Sequence, residues 1–258
     1  MTNAPLSVPG RTVSVCLPAR NEEATIGPLV RCCSHLRTLG LVHEIVVVDD
    51  STDATARIAR DAGATVYDQS SLVPHLGPVR GKGDAMWRAL SVLEGDTIVY
   101  LDADTADPSP RLVTGLLAPL RSDPRVRFVK GYYRRPFTVG DVELPTGGGR
   151  VTELTARPLL RRFFPELADI RQPLAGEIAV DRELLWSLPF HLGYGVDVGL
   201  LIDTLRACGR DAIAQADLEV RRNAHQPLEA LHDMARVVAD VILDKAAGID
   251  TVPDEVRP

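Results

Sequence analysis

The sequence predicts an α/β protein with a mainly parallel central sheet flanked by helices. Three observations carry this expectation. Short, almost wholly apolar runs recur at residues 12–18, 44–50 and 98–101, as strands buried on both faces require. Each run passes into a turn rich in Asp, Asn, Ser or Pro, and most of these turns lead into a helical stretch. Strand, acidic or polar turn and helix therefore alternate, a pattern that gives parallel strands joined by right-handed crossovers.

With 258 residues, 45% of them hydrophobic and 25% charged, the chain suits one large domain. The expected organisation is a flexible terminus over 1–10, a first half over 11–130, a second half over 131–227, and a C-terminal helix and tail over 228–258. The N-terminus has no charged and apolar leader, and no stretch approaches the roughly 20 apolar residues that span a bilayer. No membrane partner and a cytoplasmic location are expected. Cys32 and Cys33 are adjacent and Cys16 lies in an apolar run, so the four cysteines read as buried or half-buried thiols rather than a disulfide ladder or metal knuckle. A net charge of −6 argues against nucleic acid as a partner. Lysine occurs only at 82, 130 and 245. Nearly all cations are thus arginines, whose planar fork suits phosphate or carboxylate, although biased codon usage gives the same ratio.

Residues 12–18 form the first expected strand, ended by Pro18, which cannot continue the ladder. A helix follows to about Leu39, with Asn21 placed to cap it and Glu22 and Glu23 in its first turn. Residues 44–50 are the second strand, 51–63 open and form the second helix, and 64–67 are a short third strand. The loop 68–83 carries Pro74, Gly77, Pro78, Gly81 and Gly83, and loops of that length in compact domains are usually functional. Its Arg80-Gly81-Lys82-Gly83 lacks the spacing and hydroxyl residue of a P-loop. What remains is Lys82 at the start of a helix over 84–94, placed to meet a diphosphate at a helix N-terminus.

The strand at 98–101 ends in Asp102-Ala103-Asp104, at the strand end where open α/β sheets bind ligands. Side chains two apart on extended backbone point the same way, and Ala103 leaves room for a hydrated cation and the phosphates it carries. Asp-x-Asp in this setting is a signature of nucleotide-sugar-dependent transferases, yet Asp also clusters in turns for backbone reasons alone. A helix over 108–120 and a strand over 125–133 follow. Gly147-Gly148-Gly149 then frees the backbone to approach an anion, with Arg150 and Thr152 in the next helical turn. Residues 172–180 read as a strand near the sheet centre. Gly193, Gly195 and Gly199 do not fit a dinucleotide fingerprint, and a helix over 198–208, a strand over 211–220 and a polar loop over 221–227 come next. The last helix, 228–247, is amphipathic; core cover is its ordinary role and a dimer contact its additional one.

Pro18 to Glu23, Asp49-Asp50-Ser51-Thr52-Asp53, Gly81-Lys82-Gly83, Asp102-Ala103-Asp104 and Gly147 to Glu153 occur in one order. Together they resemble the glucosyl-3-phosphoglycerate synthase family of actinobacteria, retaining glycosyltransferases with the Rossmann-like GT-A fold. Tyr132-Tyr133-Arg134-Arg135-Pro136 and the run from Gly193 to Asp203 are similar to that family in particular. The resemblance covers about residues 11–245. It implies transfer of glucose from UDP-glucose to the 2-hydroxyl of 3-phosphoglycerate, with Mg²⁺ or Mn²⁺ as cofactor and a homodimer as assembly. It implies a nucleotide-sugar-binding first half and an acceptor-binding second half.

By position, the resemblance places Pro18, Ala19, Arg20, Asn21, Glu22, Asp50 and Ser51 on the nucleotide. Lys82 falls on the diphosphate, and Asp102, Ala103 and Asp104 on ribose and metal. Gly149, Arg150, Thr152 and Tyr194 fall on the acceptor. Asp197 stands where the family has a glutamate near the transferred sugar, and Arg221 where an arginine meets the diphosphate. The family's metal-binding histidine and acceptor-contacting asparagine are exchanged in type, the positions reading Asn223 and His225. Asn223 can offer a carbonyl oxygen to the cation, or His225 can reach it, and His225 also holds the acceptor position. A related transferase with another donor or acceptor, and a non-catalytic nucleotide-sugar binder, are the alternatives. No unambiguous nucleophile lies beside the anomeric carbon, so same-face attack is the expected route to retention.

Overall fold

The computed structural model describes residues 10–134, 137–139, 142–144, 149–221 and 228–249. The expected flexible terminus over 1–10 lies almost wholly outside these residues, as do Asn223 and His225. In chain order the elements are β1 (Val13–Ala19), α1 (Ile26–Thr38), β2 (Glu44–Asp49), α2 (Thr55–Asp61), β3 (Thr65–Asp68), α3 (Lys82–Ala89) and β4 (Thr97–Tyr100). There follow α4 (Arg111–Ser122), β5 (Phe128–Arg134), the hairpin β6 (Phe137–Val139) and β7 (Val142–Leu144), α5 (Arg157–Phe163) and β8 (Ile178–Asp181). The chain continues through α6 (Arg182–Ser187), α7 (Val196–Cys208), β9 (Ile213–Val220) and α8 (Leu228–Ala246).

Seven strands form one sheet in the order β3-β2-β1-β4-β8-β5-β9. All neighbours run parallel except β8, which is antiparallel to both β4 and β5. This is the mainly parallel sheet that the apolar runs predict. Apolar side chains alternate between its faces, as the two-residue repeat of a strand demands. Val15, Val47, Val99 and Val129 pack on the face covered by α1 and α4, whereas Cys16, Val46, Ile98 and Phe128 pack on the opposite face with Val196, Val198 and Leu200 of α7. Cys16, Cys32, Cys33 and Cys208 are free thiols, and burial pushes the Cys33 thiol up to about 12. Burial raises Cys16 and Cys32 as well, which keeps these three as thiols at neutral pH.

Several expected elements are displaced, each for a physical reason. Helix α1 starts at Ile26 rather than near Asn21, because Asn21 adopts a left-handed backbone with φ 58° and is not a cap. Its Oδ1 instead accepts from the Thr52 amide at 2.9 Å. Helix α3 starts two residues early, at Lys82. The expected strand over 172–180 is confined to Ile178–Asp181: Pro173 lacks an amide hydrogen, and residues 172–175 form a turn closed by the Ala175 amide on the Gln172 carbonyl at 3.1 Å.

The loop 68–81 is pinned from inside the fold. Arg88 is fully buried and donates to both carboxylate oxygens of the equally buried Asp84, at 3.0 and 3.2 Å, and to the Leu72 carbonyl at 3.1 Å. Asp84 in turn accepts from the Arg80 amide at 2.8 Å. The loop that leads to Lys82 is thereby anchored at both ends. Asp84→Ala leaves a guanidinium in the core without its counter-ion, and a loss of about 3–5 kcal/mol in urea unfolding is expected. An unchanged midpoint would contradict this reading.

Candidate functional site

Strand register brings the charged groups together. In the antiparallel β4–β8 ladder Tyr100 faces Ile178 and Val99 faces Ala179, so continuing the register past β4 sets Asp102 against Gly176. Only glycine fits there, since a Cβ on Gly176 would lie 2.1 Å from Asp102 Oδ1. In the β5–β8 ladder Lys130 faces Ile178, and the Gly131 amide donates to the Glu177 carbonyl at 2.8 Å. Arg221 follows β9 and is held by its amide on the Arg134 carbonyl at 3.0 Å. Asp102, Asp104, Glu177 and Arg221 therefore meet at one edge of the sheet, with Lys130 just inside it.

Arg221 is 3% exposed. It donates to Glu177 Oε1 and Asp104 Oδ1, to Asp102 Oδ2 at 3.3 Å and to the Tyr133 hydroxyl at 3.1 Å, and its guanidinium lies over the Tyr133 ring. Burial works against its charge, but Tyr133, Asp102 and Asp104 hold the guanidinium above its ordinary range. Lys82 spans two elements, donating to Asp102 Oδ1 at 2.9 Å and to Asp197 Oδ2 at 3.1 Å. Desolvation opposes its charge too, and those two carboxylates raise it above the ordinary lysine value. Asp197, in the first turn of α7, is 5% exposed.

One expectation about Lys82 is corrected. Its helix was expected to present free amides to a diphosphate, but the Gly83 and Asp84 amides donate to the Leu192 carbonyl at 2.9 and 3.2 Å. A Cβ on Gly83 would stand 1.6 Å from the His191 carbonyl oxygen, so the start of α3 is closed by the 191–193 backbone. Lys82 contributes its ammonium, and the helix end is already used.

The loops after β1 and β2 are laced together. The Asn21 amide donates to Ser51 Oγ at 2.8 Å, Ser51 Oγ to Asp49 Oδ1 at 2.7 Å, and the Ala54 amide to Glu23 Oε2 at 3.1 Å. Asn21 and Ser51 thus stand behind the cavity wall. Pro18, Ala19, Arg20, Glu22 and Asp50 line the cavity itself, which measures about 730 Å³ and also receives Lys82, Asp102, Ala103, Asp104, Asp197 and Arg221. On its other side lie Gly149, Arg150, Thr152 and Tyr194. Gly149 has φ +78°, a backbone that favours glycine, and the turn after it widens into a π-helix over Thr152–Ala156. All described site residues other than Asn21 and Ser51 share this one cavity.

Whether a divalent cation fits is decided by charge. Six acids line the cavity, Glu22, Asp50, Asp102, Asp104, Glu153 and Asp197, against four cations, Arg20, Lys82, Arg150 and Arg221. Burial, and then the charges of Asp104, Asp53 and Asp102, push the Glu22 carboxyl up against the pull of Thr25. Such a surplus of oxygen ligands suits a hard cation. Among the described residues no three His, Cys, Asp or Glu side chains converge as a complete set of ligands. Asp104, Asp50 and Glu153 line the cavity with half-exposed side chains.

Three features escaped sequence reasoning. Lys130, 1% exposed, donates to the Asp197 carbonyl at 3.1 Å. A lysine inside an otherwise apolar strand was the available signal. Glu177 is fully buried against Arg221, which no spacing could reveal. Leu231, Met234 and Val238 of α8 wall the cavity, so the last helix covers the site as well as the core.

Residues 14–168 match the model of glycosyl transferase family 2. The chain is 48% identical over 243 residues to the glucosyl-3-phosphoglycerate synthase of Mycolicibacterium smegmatis, covering 94% of this chain and 80% of that one. It is similar to the crystal structure of glucosyl-3-phosphoglycerate synthase from Mycobacterium tuberculosis in complex with Mn²⁺, UDP-glucose and phosphoglyceric acid, with TM-score 0.84 and 47% identity over 93% of this chain and 81% of that one. It is also similar to mannosyl-3-phosphoglycerate synthase from Rubrobacter xylanophilus, with TM-score 0.85 and 46% identity over 94% and 77% of the two chains.

The raised Glu22 carboxyl makes a signed prediction. A carboxyl whose folded value lies above its unfolded one is penalised when ionised, so the penalty is present at pH 7 and vanishes once the group is protonated. Glu22→Gln is expected to raise the melting temperature at pH 7 in chelator, with the gain gone below about pH 4. Saturating Mg²⁺ should shrink the gain. A melting temperature that falls at pH 7 would contradict the charge account.

Proposed function

The chain belongs to glycosyl transferase family 2 and, within it, to the glucosyl-3-phosphoglycerate synthases, and on that premise we propose that it transfers glucose from UDP-glucose to the 2-hydroxyl of 3-phosphoglycerate. The observation that carries the proposal is the meeting, in one cavity, of the Asp102 and Asp104 edge with Lys82 and Arg221 on one side and Gly149, Arg150 and Thr152 on the other. The first set suits a nucleoside diphosphate and the second a small phosphorylated acid. The cavity lies in the size range of ligand sites.

In this reading Pro18, Ala19, Arg20, Glu22 and Asp50 hold the nucleotide, with Asn21 and Ser51 fixing their loops from behind. Asp104 holds a divalent cation, completed by Asn223 or His225. Bound there, Mg²⁺ or Mn²⁺ neutralises charge on the leaving diphosphate. Lys82 and Arg221 add fixed positive charge to the same leaving group, in a cavity that limits water. Arg150, Thr152 and the Gly149 amide grip the acceptor phosphate, and Tyr194 and His225 face the rest of that molecule. Holding the hydroxyl at attack distance supplies the entropic part of the rate.

Retention follows from same-face attack. The acceptor oxygen bonds to the anomeric carbon as the carbon–oxygen bond to the diphosphate breaks, and the hydroxyl proton passes to the departing phosphate oxygen. No side chain is needed as nucleophile. The buried acids support this: Glu177 is fully buried and held by Arg221, and Asp197 is clasped by Lys82 and Lys130. Four free thiols suit a reducing, cytoplasmic setting. A homodimer belongs to the same proposal, with exposed Leu154, Phe163 and Leu243 as apolar surface. No helix among the described residues is long and apolar enough to cross a membrane.

A second reading, a mannose donor, is favoured by the equal likeness to the Rubrobacter xylanophilus mannosyl enzyme. A panel of UDP-glucose and nucleotide-linked mannoses, offered with 3-phosphoglycerate and Mg²⁺, separates the two. UDP release dependent on both 3-phosphoglycerate and the cation is the expected outcome. Asp104→Ala should lower kcat by about 10²–10³-fold, in the range of losses for electrostatic groups. Arg150→Ala should raise the acceptor KM by about 10–100-fold with a smaller effect on kcat. Turnover unchanged in Asp104→Ala would sink the proposal.

A further inference from the structure

All three lysines of the chain stand beside carboxylates; Lys245 pairs with Asp203 away from the cavity, whereas Lys130 stands beside the cavity residue Asp197 and has no part in the chemistry above. It sits in β5 on the face that carries Phe128 and looks towards α7, and it is 1% exposed. An ammonium in that position loses its hydration: Lys130 stands opposite Ile178 of β8 in the ladder, and its ammonium lies 6.0 Å from the centre of the Phe128 ring. Burial accordingly draws Lys130 down to about 8, against the pull of Asp197, so that it is still largely charged at pH 7. A buried charge of this kind needs a use or a partner.

Its partner is Asp197, at both ends of the residue. The ammonium donates to the Asp197 carbonyl at 3.1 Å and lies 3.9 Å from the carboxylate Oδ1. That Oδ1 is buried and makes no hydrogen bond, while Oδ2 accepts from Lys82 at 3.1 Å. Lys82 is shared, because it also serves Asp102 at 2.9 Å. A diphosphate in the cavity carries more charge than one carboxylate and competes for Lys82. A diphosphate that draws the Lys82 ammonium towards itself leaves Lys130 as the cation beside Asp197.

We propose that Lys130 is a positioning residue that holds Asp197 in place and aimed at the hydroxyls of the donor sugar while Lys82 turns to the diphosphate. The inference rests on the proposed donor site, whose cavity Asp197 lines beside Lys82 and Asp102. It assigns the two lysines different tasks: Lys82 acts on the leaving group, and Lys130 acts on the sugar through Asp197.

Lys130→Gln tests this: it removes the charge and leaves an N–H donor one bond nearer the backbone than the ammonium, which meets the Asp197 carbonyl at 3.1 Å. Calorimetry with UDP and with UDP-glucose, both with Mg²⁺ and no acceptor, reads the sugar's share of binding. UDP affinity is expected to stay within about 2-fold, while the ratio of UDP-glucose to UDP affinity falls about 10-fold and kcat about 30-fold. A parallel loss of affinity for both ligands would mean a merely structural role, and an unchanged ratio would mean no role; either overturns the proposal. In an Asp197→Asn background Lys130→Gln should cost less than about 3-fold in kcat, and a full additive loss also overturns it. Should Lys130→Gln not fold, Lys130→Met, better matched to the apolar wall, completes the same measurements. Wild-type protein that binds UDP-glucose but does not transfer glucose would refute the proposed function alone, because the binding ratio needs no turnover.

Discussion

Charge compensation at the open edge of the sheet is the constraint on which the site depends. Arg221, Lys130, Glu177 and Asp197 are each at most 5% exposed, and Lys82, Asp102 and Asp104 join them at the cavity wall. A charge taken from water at such a cost holds its position only through opposite charges and hydrogen bonds. Each group here is gripped from more than one element: Arg221 by residues following β4 and preceding β8, Asp197 by lysines from α3 and β5. The carboxylates still outnumber the cations. That imbalance suits a divalent ion, and it adds to the burial that raises the Glu22 carboxyl.

The nucleotide side is stiffened by polar lacing rather than by apolar packing. Asn21 accepts a left-handed backbone in order to bond both Ser51 and Thr52, and Glu23 reaches the Ala54 amide. Two loops from successive βα units become one wall. The long loop before α3 is anchored through Arg88 and Asp84, and the first amides of α3 are closed by the Leu192 carbonyl. Lys82 is therefore delivered by a rigid frame, with its ammonium as the part left to respond to a ligand.

The acceptor side is built differently. A left-handed Gly149 and a π-turn place Arg150 and Thr152 at the cavity, while α8 closes the remaining wall with apolar side chains. Asn223 and His225 lie between β9 and α8 in the sequence, outside the described residues.

By itself the sequence determined the strands, because a strand buried on both faces must be apolar throughout and Thr97–Tyr100, Glu44–Asp49 and Val13–Ala19 have that composition. It also determined the acidic strand end and the place of Lys82 at a helix start, since these are local patterns written in consecutive residues. It misjudged Asn21, whose caplike position was overruled by a loop 31 residues away, and the amides of α3, which a distant carbonyl had claimed. Tertiary structure alone decided that Glu177 would bury itself against Arg221, that Gly176 would make room for Asp102, and that Lys130 would stand behind Asp197. Those pairings come from antiparallel register and from helix α7 crossing β5. Such contacts join residues 44 to 74 positions apart, and no local periodicity records which distant charge a buried group will meet.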